Sequence, residues 1–115
     1  MNDKQTKKEI ITEYKNREFI GGVYAIRNTL SNRLLVGAST DLQGIRNRFE
    51  FSQKTDSCVD MKLQSDWKQF GGSQFCFEVL DELKKSETQT MDEFQADIAA
   101  LKEIWLDELA GHVLY

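Results

Sequence analysis

The chain of 115 residues carries 15 Lys and Arg against 19 Asp and Glu, for a formal net charge of −4, and 40% of its residues are hydrophobic. This composition is typical of a soluble globular protein, and the length predicts one domain over residues 1–115. No apolar run approaches the roughly 20 residues that cross a bilayer, and the N-terminus lacks the apolar region of a signal peptide. We therefore expect a cytoplasmic protein without membrane contact. Two cysteines and one histidine give no disulfide framework or zinc-site spacing.

Charge is distributed unevenly along the chain. Residues 22–50 carry four basic side chains against two acidic ones, whereas residues 77–115 carry three against ten. A phosphate-bearing ligand such as DNA or RNA, if one binds, is therefore expected in the first half of the chain. The acidic second half is interpreted as a solvated helix surface.

The first 19 residues are interpreted as an N-terminal helix, and residues 20–110 as the core of the domain. The helix is predicted over residues 3–17, where Ile10, Ile11 and Tyr14 give one narrow apolar face.

A tight hairpin is predicted after this helix. The triplet GVY at 22–24 opens its first strand, the triplet LVG at 35–37 closes its second, and Thr29–Asn32 supplies turn-forming residues. A turn centred near Leu30 places Tyr24 directly opposite Leu35.

Two helices are predicted beyond the hairpin. Ser39-Thr40-Asp41 is an N-cap cluster for a helix that carries Leu42, Ile45 and Phe49 on its buried side. A polar loop over Gln53–Ser57 leads to the second helix. Its apolar positions are Met61, Leu63, Trp67 and Phe70, and Gly71-Gly72 is interpreted as its αL C-terminal signal.

A third strand and a long last helix complete the core. The strand is predicted over Gln74–Leu80, and Thr90 with Glu93 forms a capping box for the helix, which is expected to end at Gly111. The apolar stripe of this helix consists of Phe94, Ile98, Leu101, Trp105 and Leu109. The sequence thus predicts an α/β (α+β) fold in which helices cover both faces of a small three-stranded antiparallel sheet.

The two hairpin triplets and their separation resemble the GIY-YIG nuclease family, although the second triplet has lost its tyrosine. Further landmarks follow in the family's order between Gly21 and Leu109, namely KLQ at 62–64, FG at 70–71, FEVL at 77–80 and WLDEL at 105–109. The resemblance implies the same architecture and, in active members, metal-dependent endonuclease activity. Phosphodiester hydrolysis requires a base, positive charge on the phosphate and a metal held by a carboxylate.

In active members the resemblance implies these roles for the two triplet tyrosines, an arginine on the following helix and a glutamate on the last helix. By position they fall on Tyr24, Leu35, Ile45 and Lys102, so only the first tyrosine is retained. Two histidines that are common in the family fall on Phe49 and Cys58. Leu35 and Ile45 are apolar, which predicts a former pocket partly filled with hydrocarbon.

Residues next to these positions are candidate substitutes for the missing groups. At 100° per residue, Arg46 flanks the buried stripe of its helix, so we expect it at the edge of the former pocket. Arg48 is expected to point farther round the helix, away from that stripe. Glu103 is expected to face solvent and therefore not to replace the lost glutamate. Arg27, Arg33, Arg48 and Lys102 are the candidate phosphate ligands, and Tyr24 with Arg46 as a surrogate are the candidate catalytic residues.

Three functional classes remain open. The first is a catalytically lapsed domain that binds nucleic acid or another phosphate ligand in the old cleft through the basic hairpin–helix region. The second is a protein-interaction module that keeps only the scaffold, and the third is a divergent active nuclease. No cofactor is expected in the first two classes, and Mg²⁺ is expected only in the third.

Overall fold

A computed structural model describes residues 19–58 and 60–115. The predicted helix over residues 3–17 lies outside the described residues. The elements are β1 (Ile20–Asn28), β2 (Leu34–Ser39), α1 (Leu42–Thr55), α2 (Gln64–Phe70), a 3₁₀ turn (Gly72–Gln74), β3 (Phe75–Lys84) and α3 (Met91–Glu108). None of the helices in the described part of the chain combines the length and apolar content that a membrane span requires.

The three strands form one antiparallel sheet in the order β2-β1-β3, with the hairpin's first strand at the centre. A β-bulge interrupts the pairing of β1 with β3 between Val23 and Tyr24. The predicted α+β architecture is thereby confirmed. β1 is the most buried of the three strands, and both of its faces are covered.

Alternate residues of β1 contribute to two apolar clusters on opposite faces of the sheet. One face is packed by α1 and α2 through the cluster Ile26, Leu35, Phe49, Leu63, Trp67 and Phe75. The other face is packed by α3 around Ala25, Leu34 and Leu109, with Trp105 partly buried against them. Phe94 is fully buried, so the predicted stripe of the last helix packs into the core.

The hairpin register differs from the sequence prediction. Tyr24 pairs with Gly37, and Leu35 pairs with Ile26. The reason lies in the turn, where the buried Asn28 Oδ1 accepts hydrogen bonds from the backbone N–H groups of Leu30 and Ser31 at 3.0 and 3.4 Å. This side-chain cap, together with a left-handed Asn32 (φ 62°), lengthens the loop and moves its centre one residue along.

The predicted helix boundaries on the first face also shift. α1 continues through Gln53–Thr55, which were predicted as loop, and ends at a left-handed Asp56. Met61 was predicted as an apolar helix position, but it precedes α2 and is 87% exposed. Gly71 follows α2 with φ 85° and ψ 149°, which is not the αL conformation predicted there. Its positive φ still favours glycine.

The second half of the core follows the sequence signals more closely. β3 runs four residues beyond the predicted end at Leu80. The capping box of α3 is present as predicted, with Thr90 Oγ1 accepting from the Glu93 N–H and Glu93 Oε1 accepting from the Thr90 N–H, both at 3.1 Å. α3 ends at Glu108 with Leu109 as its C-cap, two residues before the predicted stop at Gly111.

Candidate functional site

A cavity of about 260 Å³ lies between the hairpin and α1, on the face of the sheet that α1 and α2 cover. It is lined by Tyr24, Ile26, Leu35, Ile45, Arg48, Phe49 and Asp60. Three of the four positions singled out from the family resemblance, Tyr24, Leu35 and Ile45, therefore meet at one cavity. Two of them present hydrocarbon, so the cavity, called the Tyr24 cavity below, is apolar on those sides.

Tyr24 is fixed in this cavity by its neighbours in the sheet. Its ring stacks on Phe77 of β3, with centroids 5.2 Å apart and an interplanar angle of 17°. Burial, chiefly, and the Asp60 carboxylate raise the pKa of the Tyr24 phenol above its ordinary value of 10.0, while Arg48 acts in the opposite direction. Tyr24 is therefore a neutral phenol at physiological pH, and its hydroxyl keeps a proton to donate.

Arg48 and Asp60 supply the charge of the Tyr24 cavity. Helical periodicity predicts Arg46 at this edge and Arg48 farther round the helix, and the structure reverses them. Asp60 was missed altogether. It orders the turn before α2, because its Oδ1 accepts from the Lys62 N–H at 2.8 Å and its carbonyl accepts from the Leu63 N–H at 3.1 Å. An Asp two residues ahead of Lys62 is a recognisable turn signal that would have marked it.

Arg46 lies on the side of α1 that faces β3. Its guanidinium is 5.4 Å from the centroid of the Phe77 ring, and it lines a second cavity of about 360 Å³ together with Asp41 and Glu82. Two carboxylates beside one guanidinium make this second cavity a poorer place for a phosphate than the Tyr24 cavity.

Arg27 and Arg33 are engaged with protein groups. Arg27 forms an ion pair with Glu78 at 2.9 Å and lies on the sheet face opposite Tyr24. The Arg33 guanidinium lies 4.3 Å from the centroid of the Tyr115 ring and 3.8 Å from Asp66. Both arginines, which the sequence predicts as phosphate ligands, therefore contact protein groups.

Lys102 and Glu103 belong to α3, which packs on the sheet face opposite the Tyr24 cavity. Lys102 is half-buried and does not line that cavity. Glu103 is exposed, as its helical position predicted. The fourth family position is thus separated from the other three.

The residues of the Tyr24 cavity do not fit a magnesium site. Asp60 is its one carboxylate, it already accepts a backbone hydrogen bond, and the cationic Arg48 lines the same cavity. No group of three or more His, Cys, Asp or Glu side chains in residues 19–58 and 60–115 is arranged to hold a metal ion. Mg²⁺ favours near-octahedral oxygen ligation, which this set does not supply.

The fold and the cavity define a small α+β domain with a hairpin tyrosine facing the first helix. This is the fold of the catalytic domain of the intron homing endonuclease I-TevI, a GIY-YIG nuclease. A mutant of that domain is similar at 24% identity and a TM-score of 0.57, over 79% of this chain and 84% of that one. A second structure of the domain gives 22% identity and a TM-score of 0.50, over 78% and 88%. No family model matches the chain, and no curated protein matches it. At these identities the likeness establishes the fold.

Proposed function

We propose that this chain is a GIY-YIG nuclease-like domain that binds nucleic acid beside the Tyr24 cavity and does not cleave it. The observation that carries the proposal is the position of Arg48, which lines the cavity with Tyr24 and forms no ion pair within the described residues. An unpaired guanidinium is a ready ligand for phosphate.

The charge of the other basic candidates supports this choice of surface. Arg27 and Arg33 are neutralised by Glu78 and Asp66, whereas α1 carries three basic side chains and one acidic one, all of them exposed: Arg46, Arg48, Lys54 and Glu50. Phosphate contacts from α1 would bring a strand across the mouth of the Tyr24 cavity.

The absence of cleavage is proposed from the chemistry of the cavity. Leu35 and Ile45 stand where the resemblance implies a second tyrosine and a phosphate-stabilising arginine, and both are apolar. Loss of one charge-stabilising group typically costs about 10²–10³ in rate, and several such losses give no additive figure. The Tyr24 phenol alone cannot offset charge building on a phosphate.

Binding is tested by fluorescence anisotropy with labelled DNA and RNA oligonucleotides between 20 and 200 mM salt. We expect Arg48→Glu to weaken binding more than Arg46→Glu, and the affinity of the wild type to fall steeply as salt rises. Lys85→Glu is the matched control, since it makes the same charge change in the loop after β3. Equal losses in all three variants, or binding that ignores salt, would contradict the proposed surface.

Cleavage is tested with supercoiled plasmid, single-stranded DNA and RNA in the presence of Mg²⁺ or Mn²⁺. No cutting is expected. Asp60 is the carboxylate on which a divergent active site would depend, so wild type is compared with Tyr24→Phe and Asp60→Asn. Metal-dependent cutting that both variants lose would establish the divergent-nuclease alternative.

The interaction-module alternative is favoured by a different observation. Several large apolar side chains are more than half exposed, including Leu30 on the hairpin loop and Ile104 on α3. They lie on different elements. If no oligonucleotide binds at 20 mM salt, the interaction module becomes the preferred function.

A further inference from the structure

Phe51 is exposed in a way that the fold does not explain. It lies in the third turn of α1 with 65% of its surface accessible, and among the described residues it is the one Phe, Tyr or Trp that is mainly exposed. Every other Phe, Tyr and Trp among the described residues is buried or half-buried, and five of these ten pack ring against ring in the core. Phe51 therefore contributes little to packing within the domain.

The helix places Phe51 between two basic residues. Arg48 and Lys54 are three residues before and after it, so each lies about 60° to one side of Phe51 and one turn away along the axis. Both are exposed, and neither forms an ion pair in the part of the chain that the structure describes. The acidic residue of the helix, Glu50, lies about 100° from Phe51. These three residues, Arg48, Phe51 and Lys54, are called the α1 strip.

The α1 strip begins at the Tyr24 cavity, because Arg48 belongs to both. An aromatic face between two cations matches a nucleotide, which presents a flat base between two phosphates. Base–aromatic stacking with flanking basic residues is the usual means by which proteins hold single strands, and it requires a base that is not already stacked and paired. In a duplex the base faces are covered by their neighbours.

We propose that the α1 strip selects single-stranded nucleic acid, with Phe51 stacking on one unpaired base while Arg48 and Lys54 contact the adjoining phosphates. This inference rests on the proposed function, since it names the class of nucleic acid that the surface takes. Stacking supplies the preference for single strands, and the phosphate contacts supply affinity without sequence specificity.

The test compares three labelled probes of equal length, a single strand, the corresponding duplex and an abasic deoxyribose-phosphate strand, by fluorescence anisotropy at one salt concentration. Wild type is expected to bind the single strand at least about fivefold more tightly than either other probe. Phe51→Ala is expected to remove that preference while binding of the abasic strand stays unchanged. Phe51→Trp restores the ring and is expected to restore the preference.

Phe51→Leu is the matched control for apolar area, because leucine keeps a hydrophobic side chain but has no face for a base. We expect it to behave as Phe51→Ala. Since Phe51 is exposed, all three variants are expected to unfold at the wild-type temperature, which circular dichroism checks. A preference for the single-stranded probe in Phe51→Leu equal to that of the wild type would contradict base stacking by Phe51.

The outcomes separate this inference from the proposed function. One outcome is binding that depends on salt and on Arg48 but is equally tight for all three probes and unchanged by substitution of Phe51. That result would contradict the single-strand preference of the α1 strip and would leave the proposed function standing. Absence of binding to every probe would overturn both. A dimer in sedimentation that Phe51→Ala dissociates, with no effect on single-strand preference, would assign Phe51 to self-association and overturn the inference.

Discussion

The ring of Tyr24 lies directly over Gly37, its partner across the hairpin. A Cβ at residue 37 would stand 2.4 Å from both the Cζ and the Oη of Tyr24. The glycine is therefore required by the space that the tyrosine ring occupies. The last residue of the second triplet and the last residue of the first thus form one packing unit at the edge of the Tyr24 cavity.

Gly37→Ala is expected to destabilise the domain by about 1–3 kcal/mol, because the added methyl forces the Tyr24 ring out of its rotamer. In a Tyr24→Val background the ring is absent, and the same change should cost less than about 0.5 kcal/mol. Urea unfolding of the four proteins gives a double-mutant cycle, and a coupling energy near zero would contradict this contact.

Stability should decline at alkaline pH through Tyr24 and Tyr115. Burial raises the pKa of both phenols above 10.0, with Asp60 adding to the effect at Tyr24 and the hydrogen bond to Asp66 adding to it at Tyr115. A raised folded-state pKa gives stability that is complete below pH 10 and is lost as pH rises through the folded pKa.

The measurement is urea unfolding between pH 8 and pH 11.5. Tyr24→Phe has no proton to lose at this position, so its stability should fall less steeply above pH 10 than that of the wild type. If the free energy of unfolding falls equally steeply with pH in the two proteins, the pKa of Tyr24 is the same in the folded and unfolded chains.

Asn28→Ala is expected to cost about 1–3 kcal/mol, since Asn28 is fully buried and both ends of its amide are engaged. Its Oδ1 caps the hairpin loop, and its Nδ2 donates to the Tyr115 hydroxyl at 3.1 Å. Tyr115→Phe removes the second contact together with the hydrogen bond from the Tyr115 hydroxyl to Asp66, leaves the loop cap in place, and should cost less. Thermal unfolding of both variants checks the order, and a larger effect from Tyr115→Phe would assign the main role to the C-terminal contact.

Thr90→Ala is expected to destabilise the domain by about 1 kcal/mol through loss of the α3 N-cap, as measured by urea unfolding.

The hydrogen bonds from the Thr90 backbone and side chain lower the pKa of Glu93 below its ordinary value of 4.5. A depressed folded-state pKa gives stability that is present above pH 4.5 and lost as pH falls through the folded pKa. Glu93→Gln keeps an acceptor oxygen without the charge, so it should flatten the stability profile below pH 4.5, as measured by urea unfolding.

The sequence predicted the strands, the helices and the antiparallel sheet because their signals are local. A capping box at Thr90 and an Asx cap at Asp41 each satisfy backbone N–H groups within three residues, and the same contacts form in the fold. Three of the four positions implied by the family resemblance, Tyr24, Leu35 and Ile45, line one cavity.

The site itself escaped sequence reasoning where it depends on contacts between distant segments. Asp60 comes to Tyr24 across 36 positions of sequence, and no local pattern encodes that approach. Arg46 and Arg48 are two residues apart on one helix, so their roles depend on how α1 lies across the sheet, toward β3 or toward the hairpin. Helical periodicity predicts the angles of side chains around the helix axis, but it does not predict how that axis lies on the sheet.

The amino-acid sequence by itself determined which segments become helices and strands, and it determined that two positions singled out by the family resemblance, Leu35 and Ile45, carry hydrocarbon. Tertiary structure decided the hairpin register, because a buried Asn28 shared between the turn, Asp66 and Tyr115 moved the turn by one residue. It also decided which arginines form ion pairs. Arg27 and Arg33 find acidic partners 51 and 33 residues away, whereas Arg48 is left at the mouth of the Tyr24 cavity. Local hydrogen bonding and periodicity act within a few residues, but ion pairing and cavity shape arise only when distant segments are packed together.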